Sequence, residues 1–331
     1  MPPNSSTSSS SGGGRSLGLV LAAIASVEVG VALAVPVVAP IDAGARYYLP
    51  GVLPSLDASM VQWQGERLRV GDEPPADVLI IGDSAALMGL IPSVITERTG
   101  LRTQNLATVA HLGIDGQADV LEEHLARHPA PKTVVFAFGD WSFSATRAEL
   151  ARIGMLRGYR EWIGRDERLV ASWPSHRLRA AARRVISGAW YEAGRNDDGV
   201  RAFLFEHHGY LREPAELADW SKATRPDIAI HPDAADGLAR ISKAAAGAGA
   251  GLLLVHAPIP DVYESPQTRA LYQANEALLR RALAQLGSGE LLGPFARFAP
   301  RRLFGSPDHL NLEGAHIFSA EVADALHPRK P

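Results

Sequence analysis

The chain contains no cysteine among its 331 residues, which excludes disulfides, thiol nucleophiles and thiolate metal sites. It also lacks a charge imbalance. Its 33 basic and 36 acidic side chains give a formal −3, and nothing in that balance points to nucleic acid as a partner. Histidines at His-x-x-x-His spacing with an acid between them are absent, so no metal is expected, and no cofactor either. What is present is ordinary globular composition, 46% apolar and 21% charged. The length suits one large α/β domain with appendages, or two small domains.

Residues 1–14 are uncharged and rich in Ser, Gly, Pro and Asn, the composition of a disordered tail. From Leu17 to Ile41 the only charge is Glu28, and this stretch exceeds the roughly 20 residues a membrane-crossing helix needs. Arg15 precedes it, while Asp42 and Arg46 cancel after it, which places the N-terminus in the cytoplasm and the rest outside. The favoured reading is a retained transmembrane signal-anchor over 15–41. A cleaved signal peptide ending at Ala32-Leu33-Ala34 and a buried soluble helix are the alternatives. Glu28 reads as a tolerated defect in a single anchor, or as a contact with another membrane protein. Residues 42–76, with Pro50, Pro54, Pro74 and Pro75, read as a tether to the domain that follows.

From Asp77 onward, short apolar runs alternate with helical patterns. Val78–Ile81, Thr103–Ala107, Thr133–Phe138, Gly251–His256 and Glu290–Leu292 read as strands. Helices are expected over 92–98, 115–127, from Ser265-Pro266 to Gly287, and from the cap Asn311 to about Leu326. This alternation predicts an α/β three-layer sandwich over 77–331, with a mostly parallel central sheet and ligands at the C-terminal strand ends. A helical insertion is expected over about 145–230. Between Arg147 and Arg184 it holds ten arginines against four acids, the signature of a solvated face, a lid or an anion-facing surface. Trp141, Trp162, Trp173 and Trp190 lie in or beside it and read as core, or as platforms for sugar.

Two short segments carry chemistry. Gly82-Asp83-Ser84 follows the first apolar run, where a tight turn presents a serine hydroxyl and backbone N–H groups. Asp308-His309 precedes the last helix, where a histidine is placed to take the serine proton and return it to a leaving group. His111, His256 and His207-His208 have no partner pattern and read as structural or surface residues.

Gly82-Asp83-Ser84, Asn105-Leu106, Gly139-Asp140 and Asp308-His309-Leu310-Asn311 resemble the successive blocks of the SGNH/GDSL hydrolase superfamily. The resemblance spans about 77–140 and 250–326 and implies an SGNH/flavodoxin-like fold. It makes Ser84 the nucleophile and an oxyanion donor, and His309 the base. Asp83, Asn105, Gly113, Gly139 and Asp140 become supporting residues. Three features depart from the pattern, one being that the second-block glycine has no clear counterpart, Gly113 being the best candidate. The family's acid stands three residues before the histidine, which here is Ser306, so the orienting group is either Asp308, which is favoured, or Ser306. The asparagine of the third block is Gly139, which removes a side-chain oxyanion donor.

With an anchor and a tether, the chain is also similar to membrane-bound SGNH proteins of cell-envelope acylation, which work beside a multi-span membrane acyltransferase. The resemblances together imply a serine-dependent acyl-ester hydrolase or O-acyl(acetyl)transferase at the cytoplasmic membrane, its domain extracytoplasmic, acting on a cell-envelope carbohydrate. A plain lipase or esterase is the alternative within the enzyme class. A catalytically inactive scaffold that binds polysaccharide or the acyltransferase is the alternative outside it.

Overall fold

The apolar runs become strands of one sheet. In the computed structural model, which describes residues 56–70, 73–163, 199–212 and 229–326 together with Ser26, five strands lie parallel in the order β2-β1-β3-β4-β6. They are β1 (Val78–Gly82), β2 (Thr103–Asn105), β3 (Thr133–Phe138), β4 (Gly251–His256) and β6 (Glu290–Leu291). Two further segments, β5 (Ile259–Pro260) and β7 (Phe298–Ala299), form a separate parallel pair. All five residues of β1 are buried, as are Val134–Phe138 and Leu252–His256. Burial on both faces is why these strands read as continuous apolar runs rather than as alternating ones.

The seven helices labelled here are α1 (Leu56–Val70), α2 (Ser84–Gly89), α3 (Pro92–Thr99), α4 (Gly113–Arg127), α5 (Ala234–Gly247), α6 (Pro266–Leu286) and α7 (Leu312–Leu326). They fall into groups: α2 and α3 pack with α7, while α4 packs with α5 and α1. Ser319 of α7 accepts a hydrogen bond from the Ile91 amide at 2.8 Å, tying the last helix to the start of α3. The chain leaves β1 toward β2 on one side and returns to β3 on the other. The sheet order therefore reverses between β1 and β3, and a crevice opens at their C-terminal ends.

The expected tether differs from the structure in one stretch. Residues 56–70 form α1, which is buried against the domain through Met60, Val61, Trp63 and Leu68. Its polar residues are buried as well. Gln64 Nε2 donates to the carbonyls of Asn105, Ala107 and Gly209. Arg67 donates to the Asn105 carbonyl at 2.7 Å and to both carboxylate oxygens of Glu73. A helix enclosed on several sides by polar and apolar partners has no single apolar stripe, so its sequence shows no periodicity.

Helical segments at Asp140–Ser144, Arg147–Ile153, Met155–Trp162 and 199–206 occupy part of the expected insertion. Its arginines are partly used inside the domain. Arg160 pairs at 2.6 Å with the buried Asp119 of α4, and Arg147 pairs with Asp236 of α5 at 2.5 Å. Residues 164–198 and 213–228, with Trp173 and Trp190, lie outside the described residues, as do the expected tail and all of the anchor except Ser26. Among the described residues, no helix is long and apolar enough to cross a membrane.

Candidate active site

The turn after β1 is fixed from several sides. Gly82 has φ +145°, and a Cβ there would lie 1.7 Å from the Ala137 carbonyl oxygen, so only glycine lets β1 approach β3 at this point. Asp83 caps α2 by accepting from the Ala85 amide at 2.9 Å. Its other carboxylate oxygen accepts from the Gly139 amide at 2.8 Å and from the Ser142 hydroxyl. The aspartate is thus a buried staple between the β1 and β3 turns. Asn105 does similar work from β2. Its Nδ2 donates to the carbonyls of Ala86 and Leu90, and its Oδ1 accepts from the Ala107 amide. The Asp83 carbonyl and carboxylate take the amides of Ala85, Ala86 and Leu87, which leaves the Ser84 N–H outside the helix's own bonding.

Ser84 Oγ lies 2.9 Å from His309 Nε2, although 225 positions separate the two residues. His309 stands in a tight turn, where its carbonyl accepts from the Gly305 amide at 3.0 Å and a bridge joins Phe304 to Leu310. Its other ring nitrogen, Nδ1, lies 3.0 Å from Ser306 Oγ. The hydrogen bond at Nδ1 therefore comes from the hydroxyl at the position where the resemblance places an acid. Asp308 lines the same cleft, and its negative charge adds to burial in raising the Tyr263 hydroxyl above its ordinary pKa.

The Ser84–His309 pair opens into a cleft of about 410 Å³. Two further histidines line it. His256, at the end of β4, is buried, with Nδ1 2.7 Å from the Ala257 carbonyl and Nε2 3.0 Å from Asp140 Oδ1. Asp140 Oδ2 also accepts from the Tyr272 hydroxyl at 2.6 Å. His111, in the turn after β2, has Nδ1 2.8 Å from Asp57 Oδ2 on the first turn of α1. That hydrogen bond raises the His111 pKa, and burial opposes it.

Of the residues expected at the site, Ser84, Asp83, His309, Asp308, Gly139 and Asp140 line the cleft. Asn105 and Ser306 stand behind it. Gly139 presents no side chain, and its amide is held by Asp83. Gly113 is not among the cleft-lining residues. It opens α4 with its amide bonded to the Ala110 carbonyl, and Val109, Ala110 and His111 line the cleft in its place. His111 and Asp57 were missed in the sequence. His256, read there as structural or surface, lines the cleft as a buried residue with both ring nitrogens hydrogen-bonded. For His111 and Asp57 there was no signal, because their partnership is made by the packing of α1.

A hydroxyl, an imidazole and a second hydroxyl in a line can move a proton off Ser84 and back again, which is the requirement for covalent acyl chemistry. No protein-family model matches this chain, and no curated protein matches it.

Proposed function

We propose that the chain is a serine-dependent acyl-ester hydrolase or O-acyltransferase with an SGNH/flavodoxin-like three-layer domain. One observation carries this reading: the 2.9 Å contact between Ser84 Oγ and His309 Nε2 at the sheet's point of reversal. In the reaction, Ser84 Oγ attacks the acyl carbon while His309 Nε2 takes the hydroxyl proton. The Ser84 N–H is placed to stabilise the oxyanion. Collapse of the tetrahedral intermediate breaks the bond to the alcohol oxygen, which leaves with the proton from His309. Water or an acceptor hydroxyl then gives its proton to His309 and attacks the acyl-serine, and Ser84 is regenerated. The apolar stretch 17–41 supports a single-pass anchor with the domain outside the cytoplasm. On that footing the substrate is an envelope carbohydrate ester, and a multi-span membrane acyltransferase is the partner.

Two features predict a slow enzyme. Ser306 at Nδ1 orients the ring without stabilising the imidazolium as a carboxylate does. Losing the carboxylate from a serine-protease triad lowers kcat about 10⁴-fold. With Gly139 in place of an asparagine, an oxyanion donor worth about 2.7–4 kcal/mol is missing. These same features favour a second reading, an inactive scaffold that binds its ligand through the cleft.

A fluorophosphonate probe separates the readings. Labelling of the wild type and not of Ser84→Ala supports the enzyme; no labelling of folded protein between about pH 6 and 9 supports the scaffold. For the enzyme, an acetyl-ester donor offered together with a polysaccharide acceptor then distinguishes hydrolysis, which releases only free acetate, from transfer, which yields acetylated acceptor.

A further inference from the structure

Three cleft residues take no part in the proton relay of Ser84 and His309. Asp57 comes from α1, His111 from the turn after β2, and Trp141 from the segment after β3, yet they meet at one place. Asp57 Oδ2 is 2.8 Å from His111 Nδ1, and the His111 ring meets the Trp141 ring edge-on at 5.6 Å with planes at 90°. Trp141 is 41% exposed within the cleft, whereas Trp63, which serves the core, is 0% exposed. An indole this exposed in a concave site keeps apolar surface available to a ligand.

The polar pair beside it narrows the ligand. Asp57 fixes the His111 ring through Nδ1, and it raises the His111 pKa, so that Nε2 serves as a donor over a wider pH range. The second carboxylate oxygen of Asp57 is an acceptor. A flat apolar surface next to a donor and an acceptor matches a pyranose, whose ring face of C–H groups is apolar and whose rim of hydroxyls both donates and accepts. A long acyl chain matches the indole alone, since covering the partly exposed Asp57 carboxylate with hydrocarbon is unfavourable. Charge narrows it again. Among the described residues lining the cleft none is Lys or Arg, while Asp57, Asp83, Asp140 and Asp308 are carboxylates, so an anionic sugar is repelled.

We propose that Asp57, His111 and Trp141 form a subsite for a neutral pyranose of the alcohol that carries or receives the acyl group. The purpose of this subsite rests on the acyl-ester reading of Ser84, but binding to it does not require turnover.

The test uses full-length Ser84→Ala protein and a panel of neutral tetrasaccharides built from glucose, mannose or N-acetylglucosamine, with tetragalacturonate as the anionic probe. Calorimetry is expected to show saturable binding of at least one neutral saccharide. Trp141→Ala should weaken it about tenfold or more, Asp57→Asn should weaken it to a lesser degree, and tetragalacturonate should bind at least about tenfold more weakly. In the Ser84 protein, Trp141→Ala should lower kcat/KM for an acetylated form of the bound saccharide at least about tenfold more than for p-nitrophenyl acetate, mainly through KM. The subsite is overturned if no neutral saccharide binds, if folded Trp141→Ala binds it as well as the parent, if the anionic probe binds as tightly, or if both esters lose activity equally. If the wild type turns over neither ester while Ser84→Ala still binds the neutral saccharide through Trp141, the acyl-ester reading fails and the subsite stands.

Discussion

His309 and His256 line the same cleft and differ in what faces their rings. The two nitrogens of His309 meet the hydroxyls of Ser84 and Ser306, groups that can either donate or accept. The two nitrogens of His256 meet the Ala257 carbonyl and the Asp140 carboxylate, groups that only accept. A carbonyl and a carboxylate hold the His256 ring in place and offer it no hydroxyl to activate. A ring between two hydroxyls satisfies them in either tautomer, so its proton can travel. On the acyl-ester reading, proximity to the cleft therefore does not single out the base; the hydrogen-bonding character of the neighbours does.

The largest change in turnover is expected at Ser84. Replacing it with alanine removes the hydroxyl from which His309 takes its proton, and ester turnover should fall at least about 100-fold, the share of a serine-protease triad's effect that remains once its carboxylate is already missing. Urea unfolding of the same variant should be nearly unchanged. His256→Gln, by contrast, should lower stability and affect turnover only as the Asp140–Ser144 segment loosens.

A third histidine sharpens the contrast because it carries no travelling proton at all. His124 on α4 is buried, stacks on His128 at 4.8 Å, and has an Nε2 without a hydrogen-bond partner. Burial first, and the neighbouring His128 second, push its pKa down to about 4. The unfolded chain binds this proton below about pH 6.5 while the folded chain refuses it. Stability should therefore fall as pH drops from about 6.5 to about 4, by roughly 3 kcal/mol. Equilibrium unfolding across that range checks this, and His124→Leu should flatten the slope.

A smaller effect is expected at Asp140. Exchanging its carboxylate for an amide in Asp140→Asn leaves either His256 or Tyr272 facing a donor, which should cost about 1–3 kcal/mol. The loss should appear in denaturation midpoints before it appears in labelling of Ser84.

The smallest change is a gain. Ser306→Asp gives His309 a carboxylate at the position that already contacts Nδ1 at 3.0 Å. We expect kcat to rise about tenfold, a fraction of what a full triad carboxylate contributes. The acid limb of the pH–rate profile should move to higher pH, because the added charge favours the protonated ring, which is inactive as a base. An unchanged profile would mean that the new side chain turns away from the ring.

The features legible in the sequence were those that repeat locally. Thr133–Phe138 and Gly251–His256 were readable to the residue, because a strand buried on both faces is a continuous apolar run. Ser265-Pro266 and Gly287 marked both ends of α6 by their backbone preferences. Ser84 and His309 were legible as residues and not as a distance, which only the docking of α7 on α3 supplies. The rest was hidden because it depends on contacts between distant segments. α1 buries a glutamine and an arginine against carbonyls from β2 and from Gly209, so no pattern in 56–70 announces it. Whether Ser306 or Asp308 reaches Nδ1 depends on the course of one five-residue turn. Adjacent residues in a loop carry no periodicity from which that course could be read.

The 225-residue separation of Ser84 and His309 bears on how the protein is made. Ser84 is synthesised with β1, and His309 follows it 225 residues later. The histidine is set in place only when α7 docks and Ser319 takes the Ile91 amide. On the acyl-ester reading, a chain that has folded only its first strands displays an ordinary serine, and its reactivity is acquired when α7 docks on α3.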